Sequence, residues 1–221
     1  MTWILSNDEL ILERLLGHLG MALPPILLSL ALAIPIAWLA LRVSWLRGPI
    51  TALASLMYAI PSLPLFIVIP LMIGTGIRNP VNVALALTLY GLALMVPATV
   101  DALRGVDPAV RGAAEALGYT PTARFFTVEL PLAIPPIIAG LRVVAVSTIS
   151  LTTVGAVLGV PSLGLLFTDG LQRGIISEIL TGIVLTAALA LLFDRLLAWL
   201  GGRLTPWLTS SPTPVLQEAS V

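Results

Sequence analysis

Residues 111–141 read RGAAEALGYTPTARFFTVELPLAIPPIIAGL, polar in their first half and almost wholly apolar in their second. Just upstream, Asp107-Pro108 combines a good N-cap with proline at the first helical position. Gly118 then stands where a helix ends on a left-handed residue. Thr120-Pro121 repeats the cap-plus-proline device and predicts a second short helix through about Glu129, with Leu130-Pro131 leading into the next apolar segment. The stretch therefore reads as helix–turn–helix, projecting from between two hydrophobic spans. Gly112, Ala113, Ala114 and Ala116 would let another backbone approach closely, and Arg111, Glu115 and Arg124 would supply ion pairs at the rim of such a contact. The plainer alternative is a connector lying on a membrane surface. A projecting, well-capped loop in an otherwise apolar chain points to a soluble partner.

Working outward, the 221 residues are 58% hydrophobic and 10% charged, with a mean hydropathy of +1.06, far beyond what a soluble core of this size needs. Five stretches are long and apolar enough to span a bilayer: 21–41, 49–73, 80–100, 132–160 and 175–193. Residues 1–20 predict an amphipathic interfacial helix rather than a signal peptide, because Asp8, Glu9 and Glu13 outnumber Arg14. Residues 205–221 are rich in Pro, Ser and Thr and read as a disordered tail. The membrane domain is thus 21–204, with its loop at about 104–131. Five spans with the N-terminus outside and the C-terminus in the cytoplasm place Arg42, Arg47, Arg104, Arg111, Arg124, Arg195 and Arg203 inside. Only Arg14, Arg78 and Arg173 fall outside, in accord with the positive-inside rule.

What is missing narrows the chemistry. The chain has no cysteine and no lysine, so it holds no thiolate metal site and no P-loop lysine for ATP. His18 is the single histidine, which excludes a multi-histidine metal site, and a net charge of zero gives no reason to expect nucleic acid. No paired carboxylates fall at mid-membrane, which argues against an intramembrane enzyme and leaves a simple anchor as the remote non-transport alternative.

Prolines at 35, 61, 64, 70, 97, 135 and 136 kink spans, as packing or a path that must open would require. Tyr58, Pro61, Ser62 and Tyr90 lie within spans as candidates for such a path. In the fourth span Thr148, Thr152 and Gly155 share a helical face, which fits either pore lining or packing by small residues. Both tyrosines equally fit packed or interfacial positions. Arg142 reads as marking the cytoplasmic edge, with 132–141 in the interface.

The loop resembles the signature of ABC importer permeases: a Glu-Ala-Ala triplet, a glycine, then an Ile-x-Leu-Pro ending. Here the triplet falls on Gly112-Ala113-Ala114 and the ending is Val128-Glu129-Leu130-Pro131, so Gly112 stands in place of the usual glutamate. GVDPAVRGAAEALG (105–118), VELPLAIPPIIAGLR (128–142) and YAIPSLPLF (58–66) are similar, in order, to the glycine betaine/carnitine/choline permease family. A methionine permease, or one for another amino acid, would share the loop but fit the other motifs less well. The resemblance implies an all-α polytopic protein with the type I ABC importer permease (MetI-like) fold, in the bacterial inner membrane. It implies separate ATPase subunits carrying ATP and Mg, a second permease copy or paralogue, an extracytoplasmic substrate-binding protein, and surrounding membrane lipid. The coupling loop to the ATPase would run through Asp107, Pro108, Arg111, Gly112, Ala113, Ala114, Glu115, Gly118, Thr120, Pro121, Arg124, Leu130 and Pro131. The permease itself would hold no cofactor and catalyse nothing.

Overall fold

A computed structural model describes residues 2–208, and these form an all-helical bundle. After a single turn, α1 (Thr2–Leu5), the chain enters α2 (Asp8–Arg42), α3 (Ser44–Ala59), α4 (Ser62–Ile73) and α5 (Pro80–Arg104). The projecting loop carries α6 (Pro108–Ala116) and α7 (Pro121–Arg124), and α7 passes through a π-helical turn (Phe125–Glu129) into α8 (Leu130–Val154). A 3₁₀ turn (Gly155–Leu158), α9 (Gly164–Arg173), α10 (Ile176–Leu204) and a final 3₁₀ turn (Pro206–Leu208) complete it. The expected tail lies mostly outside the described residues.

Four helices are long and apolar enough to cross a membrane, and α3 with α4 makes a fifth if the bent pair is one span. α5 is central, with more than half of its most apolar stretch buried, because α2, α3, α4 and α8 all pack around it. Small residues bring these helices together, as expected where lipid gives no hydrophobic drive for association. Ala33, Ala37 and Ala40 repeat along the buried side of α2, each fully covered. A Cβ on Gly91 of α5 would lie 2.7 Å from Ser29 of α2, and one on Gly140 of α8 would lie 2.9 Å from Ala98 of α5.

Several expected boundaries move. The segment before residue 20 is not a separate interfacial helix: α2 runs unbroken from Asp8, His18 is fully buried, and Gly17 packs on the Pro161 backbone. The second span is not straight. It bends by 109° at Ile60-Pro61, because proline offers no donor and forces its predecessor into extended backbone, here φ −69° and ψ 128°. The short helix expected to close at Glu129 instead continues into the fourth span. Its π turn, in which the Leu130 N–H donates to the Phe125 carbonyl, lies just before Pro131, whose nitrogen can donate to nothing. Residues 132–141 belong to this same helix, with Ala133, Ile137 and Leu141 buried, so Arg142 lies within one continuous helix. α9, which the apolar pattern did not predict, packs against α10 through Gly170 and Gly182.

Candidate coupling loop and membrane groove

The loop is built by its own caps. The Asp107 carboxylate accepts from the Ala109 N–H at 2.7 Å, and Thr120 Oγ1 accepts from the Ala123 N–H at 3.3 Å. Pro108 and Pro121 occupy first-turn positions. Gly118 has φ +84°, its N–H donates to Glu115 O at 2.9 Å, and the Tyr119 N–H donates to Ala114 O at 3.1 Å. Those two bonds are the Schellman pair, closing α6 where the sequence placed its end.

Charges then brace the loop from within. Arg124 pairs with Glu129 at 2.6 Å and also with Glu115, joining α6 to the π turn. Arg111 donates to the Leu103 carbonyl, joining α6 to the end of α5. Glu115 and Arg124, read from sequence as a rim for a partner, are thus engaged with each other. Apart from the exposed Glu115 carboxylate and the capping residues, what faces outward on α6 is small or apolar. Gly112 and Ala113 are exposed, a Cβ on Gly112 would meet nothing within 4 Å, and only Ala114 of the triplet is buried. Leu117 is 78% exposed, and Tyr119 and Phe126 are also exposed, the Phe126 ring resting edge-on against Phe125. Sequence reading missed these three; a leucine placed just before the helix-ending glycine was the available signal. Leu130 packs on the core, and Pro131 follows it at the start of the span.

Within the bundle a cavity of about 510 Å³ opens beside the α3–α4 break, lined by Tyr58, Ile60, Ser62, Tyr90, Val146, Ser147, Ser150 and Leu151. Pro61 makes the break that shapes it. Tyr58 and Tyr90 meet edge-on, ring centroids 6.1 Å apart. The Tyr90 hydroxyl donates to the Ile60 carbonyl, which the broken helix would otherwise leave unpaired. The fourth-span face that fitted either lining or packing is packed. Thr148 and Thr152 are buried, the Thr152 hydroxyl donates to the Thr148 carbonyl at 2.7 Å, and Gly155 packs on Val83. That face serves packing against α5, and the adjacent stripe bearing Ser147 and Ser150 lines the groove instead. A second cavity, about 430 Å³, shares Val146 and Ser147 and reaches Arg142 and Asp194. There the guanidinium and carboxylate pair bidentately, Nε to Oδ1 at 2.7 Å and Nη2 to Oδ2 at 2.8 Å, linking α8 to α10.

Residues 26–208 match the family model described as "binding-protein-dependent transport system inner membrane component". The chain is 33% identical over 195 residues to the osmoprotectant import permease protein OsmW of Salmonella typhimurium, covering 87% of this chain and 90% of that one. It is 30% identical over 190 residues to the carnitine transport permease protein OpuCD of Listeria monocytogenes, covering 86% and 84%. Against the ergothioneine transport permease/ergothioneine binding protein EgtU of Helicobacter pylori it is 36% identical over 149 residues, 67% of this chain but 26% of that protein. Among solved structures, an inward-facing form of the MetNI methionine ABC transporter superposes with a TM-score of 0.77 at 18% identity, over 90% of this chain and 98% of that one. An amino acid ABC transporter gives 0.74, also at 18%, over 91% and 97%. These two likenesses establish the fold. With the loop, the bundle and these matches in agreement, the chain belongs to the inner-membrane components of binding-protein-dependent transport systems, and is an ABC importer permease.

Proposed function

We propose that this permease passes small quaternary ammonium solutes, such as glycine betaine, choline and carnitine, from an extracytoplasmic binding protein to the cytoplasm. The observation that carries the reading is the Tyr58–Tyr90 pair at the broken helix, the aromatic element of a groove otherwise lined by serines and aliphatic side chains. Aromatic faces attract quaternary ammonium groups, but two edge-on rings are far short of a closed cage. Such a groove suits passage rather than tight capture, and tight capture is then the task of the binding protein. The cargoes named for the relatives above support the reading, since carnitine and ergothioneine both carry a trimethylammonium group.

α6 acts as the coupling helix. Leu117, Tyr119 and Phe126 enter a groove of the ATPase, Gly112 and Ala113 allow its backbone close, and Arg111 and Arg124 hold the loop rigid against α5 and α8. ATP and Mg reside on that ATPase. Its closure swings two permease halves, this chain and a second copy or a paralogue, between inward- and outward-open states. The arginine-rich end of the bundle is cytoplasmic and the N-terminus lies outside, in keeping with the arginine distribution.

The test is ATPase stimulation in the reconstituted complex with its binding protein and a panel of glycine betaine, choline, carnitine and methionine. Stimulation by a quaternary ammonium solute is the expected result. Stimulation by methionine alone would keep the machine and overturn the cargo.

A further inference from the structure

At the end of the bundle nearest the coupling loop, a cavity of about 390 Å³ lies among the ends of α2, α3 and α5 and the start of the α7–π segment. Five of the chain's eleven arginines line it: Arg42, Arg47, Arg104, Arg111 and Arg124. Glu129 is the single acidic residue in the lining, and it is already engaged by Arg124 at 2.6 Å. Among the described residues, Arg42, Arg47 and Arg104 have no carboxylate within ion-pair distance. Arg111 Nε is buried with no hydrogen-bond partner; its nearest carboxylate oxygen, on Glu129, is 4.0 Å away. Two of the five, Arg42 and Arg104, sit in the last turns of α2 and α5, where each helix terminus offsets about half a charge. The lining remains strongly positive after that.

Positive-inside bias accounts for arginines at this end of the protein, but not for five of them, from separate segments, lining one half-open cavity. The walls are also amphipathic. Trp38 stacks under the Arg42 guanidinium at 4.7 Å and meets Phe125 at 5.6 Å between ring centroids. Outside, Trp45 is 74% exposed in the first turn of α3, and Leu53 and Leu56 are exposed on the turns that follow. From Arg47 to Leu56 is about 14 Å along the helix, which leads from the basic pocket onto a surface fit for an acyl chain. Basic pockets between membrane helices on the cytoplasmic side hold anionic lipid headgroups, and arginine forks match phosphate geometry.

We infer that this cavity is a binding site for the phosphate headgroup of an anionic phospholipid, its acyl chains running along α3. Because Arg111 and Arg124 also brace the coupling loop, the bound lipid would tie that loop to the spans. The inference rests on reading α2, α3 and α5 as membrane spans with this end cytoplasmic. Lipid retention is measured without cargo, so an error in the solute assignment leaves the result intact.

The experiment is native mass spectrometry of the delipidated full-length chain titrated with phosphatidylglycerol or phosphatidylcholine. The wild type is expected to retain one phosphatidylglycerol at least tenfold more tightly than phosphatidylcholine. Arg42→Gln/Arg47→Gln/Arg104→Gln should lose that preference, and Arg47→Gln alone, at an exposed position, should weaken it several-fold even if the triple variant fails to fold. Arg195→Gln/Arg203→Gln, at the same end but outside the cavity, should keep it. Equal loss in both sets would mean diffuse surface charge and overturn the site. Binding of inorganic phosphate alone, with the same arginine dependence and no preference among lipids, would assign the cavity to a free anion and overturn the lipid.

Discussion

The proposed coupling loop and the membrane groove are built in opposite ways. In the loop, caps and closing bonds join residues at most five positions apart, and the Glu115–Arg124 pair spans nine. In the groove, the Tyr90–Ile60 bond spans 30 positions and the Arg142–Asp194 pair spans 52. A loop made of local bonds can hold its shape while a partner pulls on it. A groove held by distant contacts responds to any shift of one helix against another, as an opening path must. Damage to the groove should therefore spread through the bundle, whereas damage to the loop should stay at the docking surface.

The strongest challenge to this contrast is Arg142→Met, which strands Asp194 beside the groove. Since both side chains are partly exposed, solvent screens the stranded carboxylate and the loss stays well short of the full cost of an orphaned buried charge. It should appear as a lower thermal midpoint of the purified chain, with most of it regained in Arg142→Met/Asp194→Leu. No recovery in the double variant would mean that the guanidinium has other work in the groove.

Next is Tyr90→Phe, which removes the donor to the Ile60 carbonyl. About 1–2 kcal/mol of stability should go, while Tyr58→Phe, with no hydrogen bond at stake, should leave the midpoint unchanged. Equal behaviour of the two tyrosines would deny Tyr90 its role at the break.

On the loop side, Gly118→Val forces a β-branched residue to φ +84°, at a local cost of about 1–2 kcal/mol. Co-purification with the ATPase should fall sharply while membrane insertion and the thermal midpoint of the bundle hold. A falling midpoint would erase the distinction between the two regions. The smallest effect belongs to Asp107→Ala, which loses one N-cap worth about 1 kcal/mol. It should weaken docking modestly, by a few-fold, without touching lipid or cargo behaviour.

Leu117→Ala sharpens the comparison from the surface. It removes an exposed side chain that the fold does not need, so docking should drop with no measurable change in stability. Unchanged docking would move the contact away from the helix tip.

Much was legible in the residues themselves. Asp107-Pro108, Gly118 and Thr120-Pro121 announced α6 and the start of α7, because caps, prolines and left-handed glycines act within a few residues. Pro61 was one of seven prolines expected to kink a span, and the five apolar segments match the four long helices plus the bent α3–α4 pair taken as one span. The helix face of the fourth span stayed open between lining and packing, since Thr148, Thr152 and Gly155 are as regular in spacing as any lining stripe. Small polar residues suit close packing and a wet wall equally well, and only the position of α5 assigned them to packing.

The sequence by itself thus determined the apolar spans and the projecting loop with its caps, all of which depend on backbone chemistry felt over one or two turns. Only the tertiary structure decided which stripe of α8 opens, that Glu115 and Arg124 engage each other, that Arg142 finds Asp194, and that five arginines from separate segments share one cavity. Those outcomes depend on how helices far apart in the chain rotate against one another. That rotation is set by the fit of small residues such as Gly91 and Gly140 across the bundle, and no local pattern encodes it.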